Sequence, residues 1–379
     1  MYIRTIEAKI NEYLTEKDNN KILFIWGPRR SGKTTLIKKI SRELNLPNFN
    51  FDLQSDWEKF APDKDTLLKI ASSCPIILID EVQNYPEATI ALKILFDEFK
   101  LKIIATGSSE LRQKSKNFDS LAGRYTEHYC LPIALDEMKT HDLPAIHEEQ
   151  NYWKNTSEQH QLFGAYPEVL NAKSEGEKIE LLQNILDTYV LKDIINIYDL
   201  RNAKLAKDIL TKIALQIGQE VSLRELSNST GANSATVSNY VEIFAKNYIL
   251  LPLPAFKTNA RRAISAHKKY YFLDLGLRNI LVRDFRPTAL RPDAGSVFEN
   301  FIAAEIYKKI KNEKLNLSLY FYREYNGKEV DFVLEDYHKN YLCLESKLDA
   351  GGAPSVFPLP HQLQIINGKN YFEIISQLK

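Results

Sequence analysis

The sequence is poor in cysteine, methionine and histidine, with 3, 2 and 7 among 379 residues. Three widely spaced thiols, Cys74, Cys130 and Cys343, are odd in number and make no disulfide framework. Each sits in an apolar stretch, which predicts buried free thiols in a reducing compartment. The histidines are scattered without ligand spacing, so no zinc site is expected. No apolar run approaches the ~20 residues that a membrane-spanning helix needs. The start, Met1-Tyr2-Ile3-Arg4-Thr5, lacks the apolar stretch of a signal peptide. A cytoplasmic protein with no membrane segment is expected. Charge of one sign is lacking too. The 50 basic and 49 acidic residues leave a net charge of +1. Such a balance neither demands nor excludes nucleic acid, whose binding would need basic residues gathered locally. One gathering exists, in Lys257, Arg261, Arg262, His267, Lys268 and Lys269.

What is present is an ordinary globular composition. Hydrophobic residues make up 44% of the chain, enough to pack cores. At roughly 150 residues per domain, two or three domains are expected. Residues 21–110 alternate strand and helix signals. Short runs that read as strands occur at Lys21–Trp26, Phe49–Leu53, Pro75–Asp80 and Lys102–Thr106. Helical periods run over Gly32–Leu44, Thr66–Ser73 and Pro86–Phe99. That alternation predicts a parallel sheet covered on both faces, an α/β fold. From Asp136 to about Ile217 the pattern is helical without a convincing strand. Residues 218–288 read as two short helices followed by strands. The last segment, 289–379, returns to helix, strands and helix. The expected division is therefore 1–135, 136–217, 218–288 and 289–379.

Gly27-Pro28-Arg29-Arg30-Ser31-Gly32-Lys33-Thr34 matches G-x-x-x-x-G-K-[ST] in full, with Thr35 next. The glycines let the backbone turn its N–H groups onto phosphates. The helix that follows aims its positive end at the same anion. Lys33 offers a cation to the β- and γ-phosphates and Thr34 a hydroxyl to Mg²⁺. The strand Ile76-Ile77-Leu78-Ile79 ends in Asp80 and Glu81. Beside the phosphate loop, Asp80 would hold Mg²⁺ and Glu81 would orient and deprotonate a water. The next strand ends in Thr106-Gly107-Ser108-Ser109 and is expected to lie between the other two. Ser108 is the chosen water-positioning side chain, with Ser109 and Thr106 as alternatives. Arg124 follows, either a surface arginine or one that stabilises transition-state charge, in its own or a neighbouring subunit. These motifs predict binding and hydrolysis of ATP with Mg²⁺.

Two further segments suggest nucleic acid. Ser222, with Glu225 three residues later, opens a helix as a capping box. A turn at Gly231 then leads into a helix over Asn233–Lys246, with helix-turn-helix spacing. Ser234, Thr236, Ser238 and Asn239 would face outward and the basic stretch 257–269 would form a wing. The alternative is a winged helix that serves only as an interaction module. In the last segment, Glu299, Asp331, Glu345 and Lys347 form a candidate metal-dependent nuclease set. Glu345 and Lys347 alternate on one strand and so face one way. Asp331 and Glu345 would hold Mg²⁺.

The phosphate loop, the IILIDE strand, TGSS and LAGRY resemble the AAA-type ATPases of prokaryotes. The strings YFLDLGL at 271–277, VFEN at 297–300 and EVDFV at 329–333 resemble the domain of unknown function 4143 attached to many of them. The resemblance implies an AAA+ core, a winged-helix segment and a C-terminal fold like restriction endonucleases of the PD-(D/E)xK pattern. Here that pattern reads Glu-Val-Asp-Phe and lacks the Pro-Asp. Two functional readings stand. One is an ATP-driven enzyme acting on DNA, with homo-oligomers allowed. The other is a nucleotide switch that regulates a protein partner, with an inert C-terminal domain.

Overall fold

The computed structural model describes residues 2–16, 21–108, 118–141, 145–194, 200, 202–257, 268–324, 327–348, 352 and 356–379. The chain divides into two compact units, one over Ile3–Leu131 and one built essentially of Pro132–Lys379.

In the first unit, β1 (Ile22–Trp26), β2 (Asn48–Asn50), β3 (Ile76–Asp80), β4 (Lys102–Gly107) and β5 (Tyr125–Tyr129) form one sheet in the order β2-β3-β4-β1-β5. Every pairing is parallel. Successive side chains of a strand point to opposite faces, and the apolar strands divide accordingly. Phe24, Trp26, Ile77, Ile79, Ile103 and Ala105 pack on one side with Leu67, Leu92 and Leu95 from the helices Lys64–Ser73 and Ala88–Phe99. Leu23, Ile25, Leu78 and Ile104 pack on the other with Ile37 and Ile10 from the helices Lys33–Leu44 and Thr5–Thr15. Two-sided burial explains why these strands read as continuous apolar runs. As expected, β4 lies between β1 and β3, which sets the carboxyl ends of all three side by side.

Besides short helical turns, one helix and one strand of this unit escape the sequence reading. The helix Thr5–Thr15 buries Ile6, Ile10 and Tyr13 at helical spacing, a signal that was available. The edge strand β5 reads Tyr-Thr-Glu-His-Tyr and is only partly buried, so it carries no apolar run. The run expected over Phe49–Leu53 shortens to three residues, and Leu53 is exposed.

The second unit begins with helices Leu135–His141, Glu149–Phe163, Pro167–Asn171 and Glu175–Asn184, which continues as a π-helical stretch over Ile185–Asp193. No strand occurs among the described residues of this stretch, as the periodicity predicts. After the helix Ala203–Leu215 comes β6 (Glu220–Val221), then helices Leu223–Thr230 and Ser234–Lys246, then β7 (Leu250–Pro254) and β8 (Lys268–Phe272). The sheet order is β6-β8-β7, antiparallel throughout. Two helices followed by two antiparallel strands is the order expected of a winged helix. Ser222 caps the first helix by accepting from Glu225 N, and Asn233 caps the second by accepting from Thr236 N. Helices Leu275–Val282 and Ala294–Glu313 lead into β9 (Leu317–Arg323), β10 (Glu329–Asp336), β11 (Tyr341–Ser346) and β12 (Gln362–Ile366). That sheet is mixed, in the order β12-β11-β10-β9, with β11 and β12 parallel and the other pairs antiparallel.

Much of YFLDLGL and VFEN serves packing. Asp274 caps the helix Leu275–Val282 and also accepts from Ala165 N at 2.7 Å. The buried Asn300 side chain accepts from Phe272 N at 2.8 Å and donates to Phe272 O at 2.7 Å. It thereby satisfies backbone groups that burial would otherwise leave unpaired. No described helix is long and apolar enough to cross a membrane.

Candidate functional site

The phosphate loop leaves the carboxyl end of β1 and enters the helix Lys33–Leu44. Gly32 caps that helix at φ 99°, in the left-handed region that glycine enters without strain. Lys33 is buried, and its Nζ donates to Gly27 O and Pro28 O at 2.9 Å each. An ammonium carries three donors, so one remains for an anion. Ser31 Oγ donates to Pro28 O at 2.8 Å, which tightens the loop. Thr34 is half-buried and Thr35 exposed on the first turn of the helix. Pro28 is buried, Arg29 half-buried and Arg30 exposed along the loop itself, with Arg30 at φ 64°.

Asp80 closes β3 and is buried, and Thr106 Oγ1 at the end of β4 donates to its Oδ1. Thr106 is thereby committed to Asp80. Ser108, one step past β4, is buried, and its Oγ has no hydrogen-bond partner. A buried hydroxyl in that state costs free energy unless something else meets it. Of the two described candidates, Ser108 keeps its hydroxyl unengaged and Thr106 does not, while Ser109 lies outside the described residues. Glu81 takes the left-handed conformation at φ 52°, ψ 46°. A non-glycine residue there is uncommon and often marks a functional turn. The structure thus gathers Lys33, Thr34, Asp80, Glu81 and Ser108 at one edge of the sheet. The residues present suit Mg²⁺ with a nucleotide: a hydroxyl, a buried carboxylate and a cationic loop.

Arg124 does not join them. It precedes β5, whose Tyr125 pairs with Ile22 at the start of β1. It therefore stands at the amino edge of the sheet, opposite the loop that follows Trp26. There its Nε donates to Asp97 at 2.8 Å, and that pair holds its own charge up and the Asp97 carboxyl down. A role at the phosphate loop of its own chain is corrected by this topology.

The C-terminal set sits within the second unit. Lys269, grouped with the wing by sequence, is instead fully buried on β8. Its Nζ meets Glu299 Oε1 at 2.9 Å and Glu329 Oε1 at 3.5 Å. Tyr271 Oη also donates to Glu299. Burial pushes the Glu299 carboxyl up, against the pull of Lys269. Asp331 Oδ2 accepts from Ser346 N at 2.8 Å and Ser346 Oγ at 2.7 Å. Glu345 is buried beside it, and burial together with Asp331 pushes its carboxyl up to about 7. Lys347 Nζ lies 3.4 Å from Glu345 Oε2, so the two do share a face. Among the described residues, no three acids, histidines or cysteines come together as a metal-binding group. On the helix Ser234–Lys246, Ser234 and Asn239 are exposed and Thr236 and Ser238 half-buried. Arg261, Arg262 and His267 lie outside the described residues.

Residues 19–139 match the family model described as an AAA domain. These residues are an AAA domain. Residues 154–288 match a domain of unknown function, 8612, and residues 294–364 match the domain of unknown function 4143. An uncharacterized protein of Haemophilus influenzae is 25% identical over 293 residues, 72% of each chain. The uncharacterized protein MJ1544 of Methanocaldococcus jannaschii is 25% identical over 350 residues, 86% of this chain and 75% of that one. Among solved structures, Thermotoga maritima RuvB aligns at 15% identity and TM-score 0.31, covering 65% of this chain and 86% of its own. AMPPCP-bound DnaA from Aquifex aeolicus aligns at 16% and 0.30, covering 63% and 86%. Likeness at those scores carries no argument, and the sheet order and phosphate loop stand without it.

Within the first unit, two side chains at the site were missed by sequence reasoning. Arg4, buried, donates from Nη1 to Ser31 O at 2.7 Å and from Nη2 to Leu131 O, bracing the phosphate loop from the amino-terminal segment. Gln83 contacts both Glu81 and Ser108. Neither lies in a motif whose spacing announces chemistry, and only the tertiary structure brings them in.

Proposed function

We propose that the AAA domain binds ATP with Mg²⁺ and hydrolyses it to ADP and phosphate. The observation that supports this best is the convergence of Lys33, Asp80, Glu81 and Ser108 at the adjacent carboxyl ends of β1, β3 and β4. The loop over Gly27–Thr35 wraps the phosphates with backbone N–H groups, and Lys33 neutralises the β- and γ-oxygens. Thr34 and Asp80 hold Mg²⁺, which when bound offsets phosphate charge. Glu81 orients the attacking water and takes its proton, and Ser108 Oγ positions that water. Arg124 stabilises charge only for a nucleotide held by a neighbouring subunit in a homo-oligomer.

The finer reading is that turnover acts on DNA. The parts are the AAA domain over 1–135, a helical region over 136–217, a winged helix over 218–288 and a nuclease-like domain over 289–379. The exposed Ser234 and Asn239 and the basic stretch after Phe256 supply phosphate contacts. Asp331, Glu345, Glu299 and Lys347 form the candidate cutting site. A second reading has a specific observation in its favour. Glu299 is already neutralised by Lys269 and Asp331 is tied to Ser346. A C-terminal domain so occupied is inert, and the protein is then a nucleotide switch for a protein partner.

The test is ATP turnover with and without single- and double-stranded DNA, with DNA integrity followed in Mg²⁺ and Mn²⁺. Turnover raised by DNA, or cutting lost in Asp331→Ala, supports the DNA reading. Turnover indifferent to intact DNA favours the switch.

A further inference from the structure

Glu81 is held by a partner two residues away. Gln83 Nε2 donates to Glu81 Oε2, and Gln83 Oε1 accepts from Ser108 N at 3.3 Å. The two partners fix the amide's orientation, because a backbone N–H only donates and a carboxylate only accepts. Gln83 is buried in the short turn Val82–Asn84 that follows β3. The geometry around it leaves little freedom. A Cβ at Gly107 would stand 2.8 Å from Gln83 Oε1 and 2.8 Å from the Trp26 ring, so only glycine lets the amide approach the end of β4. Glu81 itself turns out of β3 through the left-handed region. With no strand to direct its side chain, its direction depends on what the carboxylate touches.

We infer that Gln83 is the positioning residue for Glu81, and that it ties the water-activating carboxylate to the Ser108 end of β4. This rests on the reading of Glu81 as the base. Two groups that must act on one water come from different strands, and a single amide spans them. Movement of the Ser108 backbone, when its hydroxyl engages, reaches the carboxylate through that amide. Gln83 touches neither phosphate nor water in this role. It acts through the aim of Glu81, and misaiming a reactive group by about 1 Å can cost on the order of a hundredfold in rate.

The experiment compares steady-state ATP turnover and KM for wild type, Gln83→Met, Gln83→Glu and Glu81→Gln, with thermal melts as the folding check. Gln83→Met keeps the bulk and loses both bonds. Gln83→Glu keeps an acceptor for Ser108 N but cannot donate to Glu81 at neutral pH. Both are expected to lower kcat tenfold or more with KM for ATP within twofold. Glu81→Gln is expected to bind ATP and turn over slowly. Wild-type kcat in Gln83→Glu overturns the inference while leaving Glu81 in place. A raised KM with unchanged kcat in both variants also overturns it, because that is loss of binding and not of aim. Wild-type turnover in Glu81→Gln instead removes the base assignment on which the inference rests.

Discussion

Lys269 Nζ lies 2.9 Å from Glu299 Oε1, and the lysine side chain has no exposure to solvent. The pair links β8 of the three-stranded sheet to the helix Ala294–Glu313. Burial pulls the lysine's proton affinity down, but the carboxylates of Glu299 and Glu329 outweigh it and hold the ammonium charged. Removing one member of a buried pair strands the other, at a typical cost of about 3–5 kcal/mol. Lys269→Ala is expected to lose stability on that scale in urea denaturation. Lys269→Met combined with Glu299→Gln is expected to recover most of it. A single variant as stable as wild type would show that the pair is not closed off from water.

Glu345 gives the second unit a pH dependence. Burial, then Asp331, raises its carboxyl from an ordinary 4.5 to about 7 in the folded chain. The folded state therefore holds this proton more tightly than the unfolded state. The stabilising contribution is fully present below about 4.5 and is lost as pH rises through about 7. At about 1.36 kcal/mol per pKa unit, the change amounts to about 3 kcal/mol. Urea denaturation in EDTA is expected to show wild type losing stability between pH 5 and pH 8 relative to Glu345→Gln. Parallel profiles for the two proteins would contradict this.

The thiols separate by burial. Cys130 and Cys343 are buried and Cys74 is half-buried, and all three are free. Burial, then Glu345, pushes the Cys343 thiol up to about 12, which keeps it from forming the reactive thiolate. A thiol-reactive disulfide reagent at pH 8 is expected to titrate one group in the folded chain and three in denaturant. Cys74→Ser should remove the fast group. Two fast groups in the folded chain would mean that Cys130 or Cys343 is accessible.

The sequence displays most of the AAA domain because both faces of its sheet are buried. Apolar runs such as Ile76–Ile79 then mark the strands directly, and the phosphate loop and Asp80-Glu81 fall at their ends. What escapes depends on contacts between distant residues. Lys269 looks like wing charge until Glu299, thirty positions on, is seen beside it. Arg124 follows soon after the phosphate-loop strands in sequence, yet the parallel pairing of β5 with β1 sends it to the far edge. Gln83 stands in a turn with no periodicity, and its role depends on Ser108 N, twenty-five residues away. The edge strand β5, half-exposed and polar, has no pattern to betray it.

Lys33 is proposed to serve a nucleotide site that turns over ATP. Phosphate release from ATP by wild type and by Lys33→Ala, both checked for matching thermal melts, tests it most directly. Mg²⁺-dependent release by wild type and a fall to background in Lys33→Ala are expected. Undiminished release by a folded Lys33→Ala protein would contradict the claim.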